Sequence, residues 1–304
     1  MQKHLNKSKR IGFGGWQLGN PLWGDMSDTD GIKLVKLAVK KGVYYFDTAP
    51  GYGDGKSETL LGEALKDVRN QVFINTKIGH LADGTSNFHV SSLEGQIKMS
   101  LSRLQTSYLD SVLLHNPSFD ILLGQTDHFT ELNRLKTLGY IKHYGVSIDT
   151  YDELKAVLEN TDVEVVEILF NIFFQSPAPL FDLAKEKGVK LLVKVPLDSG
   201  WLTGKYNENS TFTGIRSRWS KEDIKRRATL VTDVKNITQK NELTDVALAF
   251  ILKFDQVTAI IPGIKNETQL DINLNAEHYE LTDEMFHALI DLYQNKIKNH
   301  PCPW

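Results

Sequence analysis

The sequence predicts a (β/α)8 barrel, and three observations point to it. Short β-type runs alternate with longer amphipathic segments through most of the chain, eight such runs can be found, and several are continuously apolar. Runs such as SVLLH, EVVEILF and KLLVKV suit a parallel sheet covered on both faces, because neither face then meets water. The spacing alone also fits an open doubly wound sheet. Eight repeats favour closure.

In chain order, strands are expected at Ile11 to Gly14, Val43 to Asp47, Val72 to Thr76, Leu109 to His115, Ile141 to Ser147, Val163 to Phe170, Lys190 to Val195 and Val257 to Ile261. Between them, GIKLVKLAVKKG, KSETLLGEALKDV, VSSLEGQIKMSLSRL, HFTELNRLKTLG, YDELKAVLEN and PAPLFDLAKEKG place apolar residues three and four apart, the period of a helix with one buried face. Gly42, Gly139 and Gly188 stand where such helices end. Asp198 to about Ser220 is turn-rich and reads as a surface loop near a site, and Thr282 to Lys298 as an added helix followed by a loose tail. With no low-complexity linker or compositional break, a single domain over residues 1–304 is expected.

Composition narrows the function classes. Of the 304 residues, 41% are hydrophobic and 24% charged, enough for a sizeable core without disulfides. A formal net charge of −3, spread along the chain, supplies no basic surface for a phosphate backbone, so no nucleic-acid partner is expected. The basic start MQKHLNKSKR is followed by IGFGGWQLGNPLWG, which glycine and proline interrupt, and no later stretch approaches ~18 uncharged apolar residues. A cytoplasmic protein with no membrane partner is therefore expected. The lone Cys302 excludes an internal disulfide, and the nine histidines show no HExxH or other compact ligand spacing, so no metal is expected.

A barrel of this kind places its chemistry at the C-terminal ends of the strands. Asp47 follows the second run, Lys77 the third, His115 the fourth, Ser147 the fifth and Asn171 the sixth, with Tyr52 in the loop beyond Asp47. Each alone has an ordinary explanation, as a turn former, a solvated lysine or a locally bonded histidine. Together, Asp, Tyr, Lys and His at three successive strand ends would meet on one rim. A phenol is a poor proton shuttle near neutral pH unless a cation stabilises its phenolate, a lysine provides that cation, and an aspartate can hold the lysine charged in a dry pocket. A histidine can donate to a carbonyl oxygen as negative charge develops on it. This is equipment for protonating a nascent alkoxide, or, run backwards, for deprotonating an alcohol.

These residues resemble the aldo-keto reductase family. Asp47-Thr48-Ala49, Tyr52-Gly53 and Ser57-Glu58 match its signature, and the likeness runs from IGFGGWQLG to IIPGIKNETQLDINL through INTKIG, VLLHNP, YGVSI, ILFNIF and PLDSGWLTGKY. The resemblance implies a (β/α)8 barrel transferring hydride between NADPH, less often NADH, and a carbonyl or alcohol. It implies Tyr52 as general acid/base, Lys77 lowering its pKa, Asp47 paired with Lys77, and His115 orienting the substrate carbonyl. For the cofactor it implies Gly15 and Trp16 near the nicotinamide, with Asp47, Ser147, Glu167, Leu197, Ser199 and Gly200. Around the adenosine phosphate it implies Gly263, Lys265, Asn266, Gln269 and Asn273, Lys265 supplying a cation and a helix N-terminus supplying amide donors. The glycine-rich GFGGWQLG lacks GxGxxG spacing and is not a dinucleotide fingerprint.

Three positions depart from the family pattern: Ile148 stands where Asn is common, Glu167 where Gln is usual, and Val195 where Ser precedes PL. An ionised glutamate can only accept hydrogen bonds, and as a hypothesis it would favour the positively charged oxidised nicotinamide; a salt bridge in the barrel wall is the plainer role for it. Trp23, Trp201 and Trp219 lie in segments that form pocket walls in the family, and Trp23 and Asn116 are candidate substrate contacts. The implied partner is a small carbonyl or alcohol, and the implied assembly a monomer or small homo-oligomer. The alternative is a regulatory barrel that binds the cofactor with negligible turnover.

Overall fold

In the computed structural model, which describes residues 9–24 and 26–303, eight parallel strands pair in chain order. They are β1 (Phe13–Gly14), β2 (Tyr45–Asp47), β3 (Phe73–Ile78), β4 (Leu109–His115), β5 (Ile141–Ile148), β6 (Val165–Leu169), β7 (Lys190–Lys194) and β8 (Val257–Ile261). The seam between β8 and β1 is held by parallel bridges at Ile11 with Ile260 and Gly14 with Gly263, and the Gly12 amide donates to Ile260 O at 2.8 Å. The sheet is therefore a barrel rather than an open sheet.

Helices alternate with the strands: α1 (Asp28–Lys40), α2 (Lys56–Leu65), α3 (Leu93–Arg103), a short α4 (Phe119–Leu122), α5 (His128–Thr137), α6 (Tyr151–Asn160) and α7 (Phe181–Glu186). Two helices, α8 (Lys221–Thr238) and α9 (Thr244–Leu252), separate β7 from β8, and α10 (Glu267–Asn275) and α11 (Asp283–Leu292) follow. Local chemistry sets several of their ends. Thr150 and Glu153 form a reciprocal capping box on α6, as Ser220 and Asp223 do on α8. Gly42, Gly139 and Gly188 all take the left-handed conformation past a helix end.

Successive residues of a strand face opposite sides, so every second residue points into the barrel. The interior holds an apolar layer of Tyr45, Phe73, Leu113, Val165, Leu192, Ala259 and Ile261. Two residues further along several of those strands come Asp47, His115, Glu167 and Lys194, so the layer above is polar and opens at the C-terminal rim. At Gly145, a Cβ would stand 1.6 Å from Val165 O, so only glycine lets β5 and β6 approach as they do.

The structure corrects several expectations. The first strand is only two residues long, and Lys77 and Ser147 lie within their strands rather than beyond them. Asp198 to Ser220 is not a plain surface loop: Trp201 contacts Tyr206, Phe212 and Trp219 with ring centroids 5.4 to 5.9 Å apart. Trp201 and Trp219 are thus buried scaffold under the segment and do not line the cleft at the barrel's C-terminal end. Nor is the tail loose, since Arg227 donates to Pro303 O and Cys302 is buried.

Candidate active site

A cleft of about 510 Å³ opens at the C-terminal end of the barrel. Its floor carries Asp47 and Tyr52 from β2 and the following loop, His115 and Asn116 from the end of β4, and Glu167 from β6. Behind them, Lys77 is 1% exposed and does not reach the cleft surface.

Lys77 is the centre of the site. Its Nζ lies 2.7 Å from both oxygens of Asp47, 3.2 Å from Thr48 O and 3.1 Å from Glu167 Oε2. It also sits 5.2 Å from the centroid of the Tyr52 ring. Asn75 Nδ2 donates to Asp47 Oδ1 at 2.6 Å, and the Ser111 hydroxyl donates to Asn75 Oδ1, fixing the amide from behind. Glu167 Oε2 touches Lys77 but lacks the alignment of a hydrogen bond and has no other partner among the described residues.

The electrostatics follow from this crowding. Burial alone would push Lys77 down, but the charges of Asp47 and Glu167 outweigh it and hold the ammonium above its ordinary value. Burial pushes Asp47 up, and Glu167 adds to the rise while Lys77 opposes it. Burial likewise pushes the Tyr52 phenol up; Lys77 pulls it back, and Asp47 and Glu167 raise it further. The net direction for Tyr52 is upward, so this phenol keeps its proton at neutral pH even though Lys77 acts on it in the expected sense. His115 is held well below the usual imidazole range, first by burial and then by Lys77 and Lys194. It is a neutral ring at neutral pH, able to donate one hydrogen bond.

The other end of the cleft is cationic. Lys205, Arg216 and Lys265 line it, and none of them forms an ion pair among the described residues. Burial lowers the Lys265 pKa, and repulsion from Arg216 and Lys205 lowers it further. The Arg216 guanidinium carbon stands 4.6 Å from the Trp23 ring centroid, with Lys265 Nζ at 5.4 Å from the same ring. Six buried polar atoms of cleft residues have no hydrogen-bond partner among the described residues: Gln17 Oε1, Trp23 Nε1, Arg216 Nε and Asn273 Nδ2, together with Asp149 Oδ1 and Glu167 Oε2, which each have a lysine within ion-pair distance. A cleft with a cluster of titratable side chains at one end, stray donors along its length and unpaired cations at the other fits an extended ligand with an anionic terminus. A nicotinamide dinucleotide has that shape and charge.

Most of the expected cofactor contacts line this cleft: Trp16, Asp47, Glu167, Leu197, Ser199, Gly200, Gly263, Lys265, Gln269 and Asn273, with Trp23 and Asn116 beside them. Three do not. Gly15 is buried behind Asp47 O and accepts from Ser57 Oγ at 2.8 Å. Ser147 accepts from Lys194 Nζ at 2.9 Å and is fully buried. Asn266 caps α10 by accepting from the Gln269 amide at 2.9 Å, while Gln269 Oε1 accepts from the Lys265 amide. Those two amides are thus already occupied, and the charge for an anion comes from side chains.

Ile148 faces away from the cleft into the core, and its neighbour Asp149 lines the cleft instead. Asp149 Oδ1 is 2.9 Å from Lys194 Nζ, a pair the sequence reading missed although Lys194 ends an apolar run just as Lys77 does. Gln17, His80, Lys205 and Arg216 were missed too, since they sit in irregular segments with no periodic signal. Among the described residues no cluster of three or more His, Cys, Asp or Glu could hold a metal ion, and no helix is long and apolar enough to cross a membrane.

Known proteins offer a comparison for this arrangement. Residues 10–294 match the aldo/keto reductase family. An NADH-specific methylglyoxal reductase of Escherichia coli is 27% identical over 312 residues, covering 92% of this chain and 95% of its own. An aldo-keto reductase from Bacillus halodurans, solved in a holo form, superposes with a TM-score of 0.77 at 24% identity, over 93% of this chain and 91% of that one. An aldo/keto reductase from Klebsiella pneumoniae, solved with NADP and acetate, gives a TM-score of 0.72 at 22% identity, over 93% and 91%. The last two likenesses speak to the fold.

Proposed function

The chain belongs to the aldo/keto reductase family, and on that premise we propose that it is an NAD(P)(H)-dependent oxidoreductase interconverting a small carbonyl compound and its alcohol, with Tyr52 as general acid and base. The observation that carries the reading is the convergence of Asp47, Tyr52, Lys77 and His115 at one end of one cleft. When bound, the nicotinamide supplies the hydride in reduction and takes it up in oxidation.

The residues supply the proton and the geometry. His115, neutral and at the cleft surface, donates to the carbonyl oxygen and turns it toward the phenol. Tyr52 Oη gives its proton to that oxygen as negative charge develops there, and Lys77 beneath the ring stabilises the phenolate left behind. Asp47, accepting from Lys77 and Asn75, keeps the ammonium in place and charged. In the opposite direction the phenolate takes the alcohol proton. Trp16 stands between Tyr52 and Trp23, with ring centroids 6.1 and 5.0 Å away, so an aromatic wall runs from this end of the cleft toward the cationic one.

For the cofactor, the three unpaired cations at the far end favour NADPH over NADH. The NADH specificity stated for the Escherichia coli relative makes both cofactors arms of the test. We read the protein as a cytoplasmic enzyme of small molecules. The regulatory alternative predicts cofactor binding without turnover, and the complete set of proton-handling residues weighs against it.

The test is a panel of aldehydes, ketones, sugars and polyols followed at the nicotinamide absorbance with each cofactor. Tyr52→Phe is expected to lower kcat about 10²- to 10⁴-fold on any substrate that turns over. Equal, negligible rates for both proteins on every substrate would leave the regulatory reading standing.

A further inference from the structure

Glu167 does not stand free beside the cofactor site: it shares Lys77 with Asp47. Asp47 and Glu167 line the cleft, whereas the ammonium between them lies behind its surface. Exposures of 3% for Asp47 and 2% for Glu167 leave almost no water to solvate either carboxylate. Two carboxylates on one ammonium leave one uncompensated negative charge at the proton-handling end of the cleft. A buried charge of that kind is relieved by a proton or by a cation placed against it.

The other charged and titratable groups facing this cluster do not cancel the excess. Tyr52, from the loop after β2, keeps its proton, and burial keeps His115 of β4 neutral. Lys194 of β7 is matched by Asp149 after β5, and His80 after β3 hydrogen-bonds Ser86 Oγ at 2.7 Å. Lys205, Arg216 and Lys265 belong to the far end. Asn75 contributes an amide donor but no charge.

From this geometry we infer that the Asp47–Lys77–Glu167 cluster takes up a proton when no positive ring lies over it, and gives that proton to solvent when the oxidised nicotinamide binds. Charge balances in the exchange, because one proton leaves as one positive ring arrives. The reduced ring is neutral and leaves the proton in place. The upward pressure on Asp47, from burial first and Glu167 second, acts in the same direction. The inference rests on the oxidoreductase reading above and adds to it a proton linkage that discriminates between the two oxidation states. A glutamine at 167 would leave one carboxylate per ammonium, and the linkage would vanish.

Calorimetric titration of the apo protein with NADP+ and with NADPH, near pH 7 in two buffers of different ionisation heat, counts the protons exchanged. The phosphates of the two cofactors are the same, so their own titration cancels in the difference. Wild type is expected to release between about 0.3 and 1 more proton per site with NADP+ than with NADPH. Glu167→Gln is expected to remove that difference and to shift the NADP+ to NADPH affinity ratio about tenfold toward NADPH. Equal proton counts for the two cofactors in wild type overturn the inference without any variant, and so does a difference that survives in Glu167→Gln. If neither cofactor binds wild type, the oxidoreductase reading falls first and takes the linkage with it.

Discussion

Asp47 holds Lys77 with both carboxylate oxygens, each 2.7 Å from Nζ, at a place where the lysine is almost wholly removed from water. Breaking such a pair by deleting one partner costs more than the pair contributes, because the remaining charge is stranded. Lys77→Met strands two carboxylates, and it is expected to cost about 3–5 kcal/mol of folding stability. Asp47→Asn leaves Glu167 on the ammonium and is expected to be the milder change in both stability and kcat. Denaturant unfolding of the two variants beside wild type checks the order. Equal losses would mean that Glu167 does not share the lysine's charge.

His115 makes a prediction about acid. Its imidazole is buried and held well below the ordinary value of 6.5, so the folded state refuses a proton that the unfolded chain accepts. Below pH ~6.5 the unfolded state binds more protons, and stability falls as pH falls toward the folded value, by up to about 1.4 kcal/mol per pH unit. Above that window the histidine contributes no pH dependence. His115→Phe removes the site, and its thermal midpoint is expected to drop less than that of wild type between pH 7 and pH 5. An unchanged drop would place the acid sensitivity elsewhere.

The cationic end predicts a cofactor preference. If Arg216 and Lys265 meet a phosphate that NADPH has and NADH lacks, removing either weakens NADPH binding and spares NADH. Arg216→Ala and Lys265→Ala are each expected to raise the NADPH dissociation constant about tenfold, with NADH changed less than about threefold. Fluorescence titration with each cofactor reads this directly. The discrimination is expected to shrink as salt rises.

The barrel was legible because strand and helix periods differ and because strands covered on both faces carry unbroken apolar stretches, as in the VLL of SVLLH and the LLV of KLLVKV. Lys77 and His115 were legible for a related reason: a titratable residue closing an apolar run has to face the barrel mouth or carry a cost. The contact between Glu167 and Lys77 was not, since the two lie ninety positions apart and the chain between them must fold before β3 and β6 face each other across the barrel. Arg216 and Lys205 were missed because the segment carrying them has no period, and its order comes from the Trp201, Phe212 and Trp219 rings beneath it. Ile148 misled for want of one fact, the direction of its side chain. Strand register, which sequence spacing alone does not fix, turns that residue outward and presents Asp149 to the cleft.

Arg227 ties the cleft to the C-terminal segment. Its Nε donates to Asp198 Oδ2 at 3.1 Å and its Nη2 to Pro303 O at 2.5 Å, with the arginine 1% and the aspartate 4% exposed. Asp198 and Ser199 both adopt positive φ, 44° and 54°, and they open the turn that carries Ser199 and Gly200 along the cleft. Non-glycine residues hold that conformation only where their surroundings enforce it. Arg227→Met keeps the bulk and removes the charge, leaving Asp198 buried without its partner, and is expected to cost about 3 kcal/mol. The same change should let the turn relax, raise the cofactor dissociation constant several-fold and open the chain near Pro303 to limited proteolysis. Lost stability with unchanged cofactor affinity would mean that the turn is held by its own backbone, chiefly the Gly200 amide donating to Leu197 O at 2.8 Å, and not by Arg227.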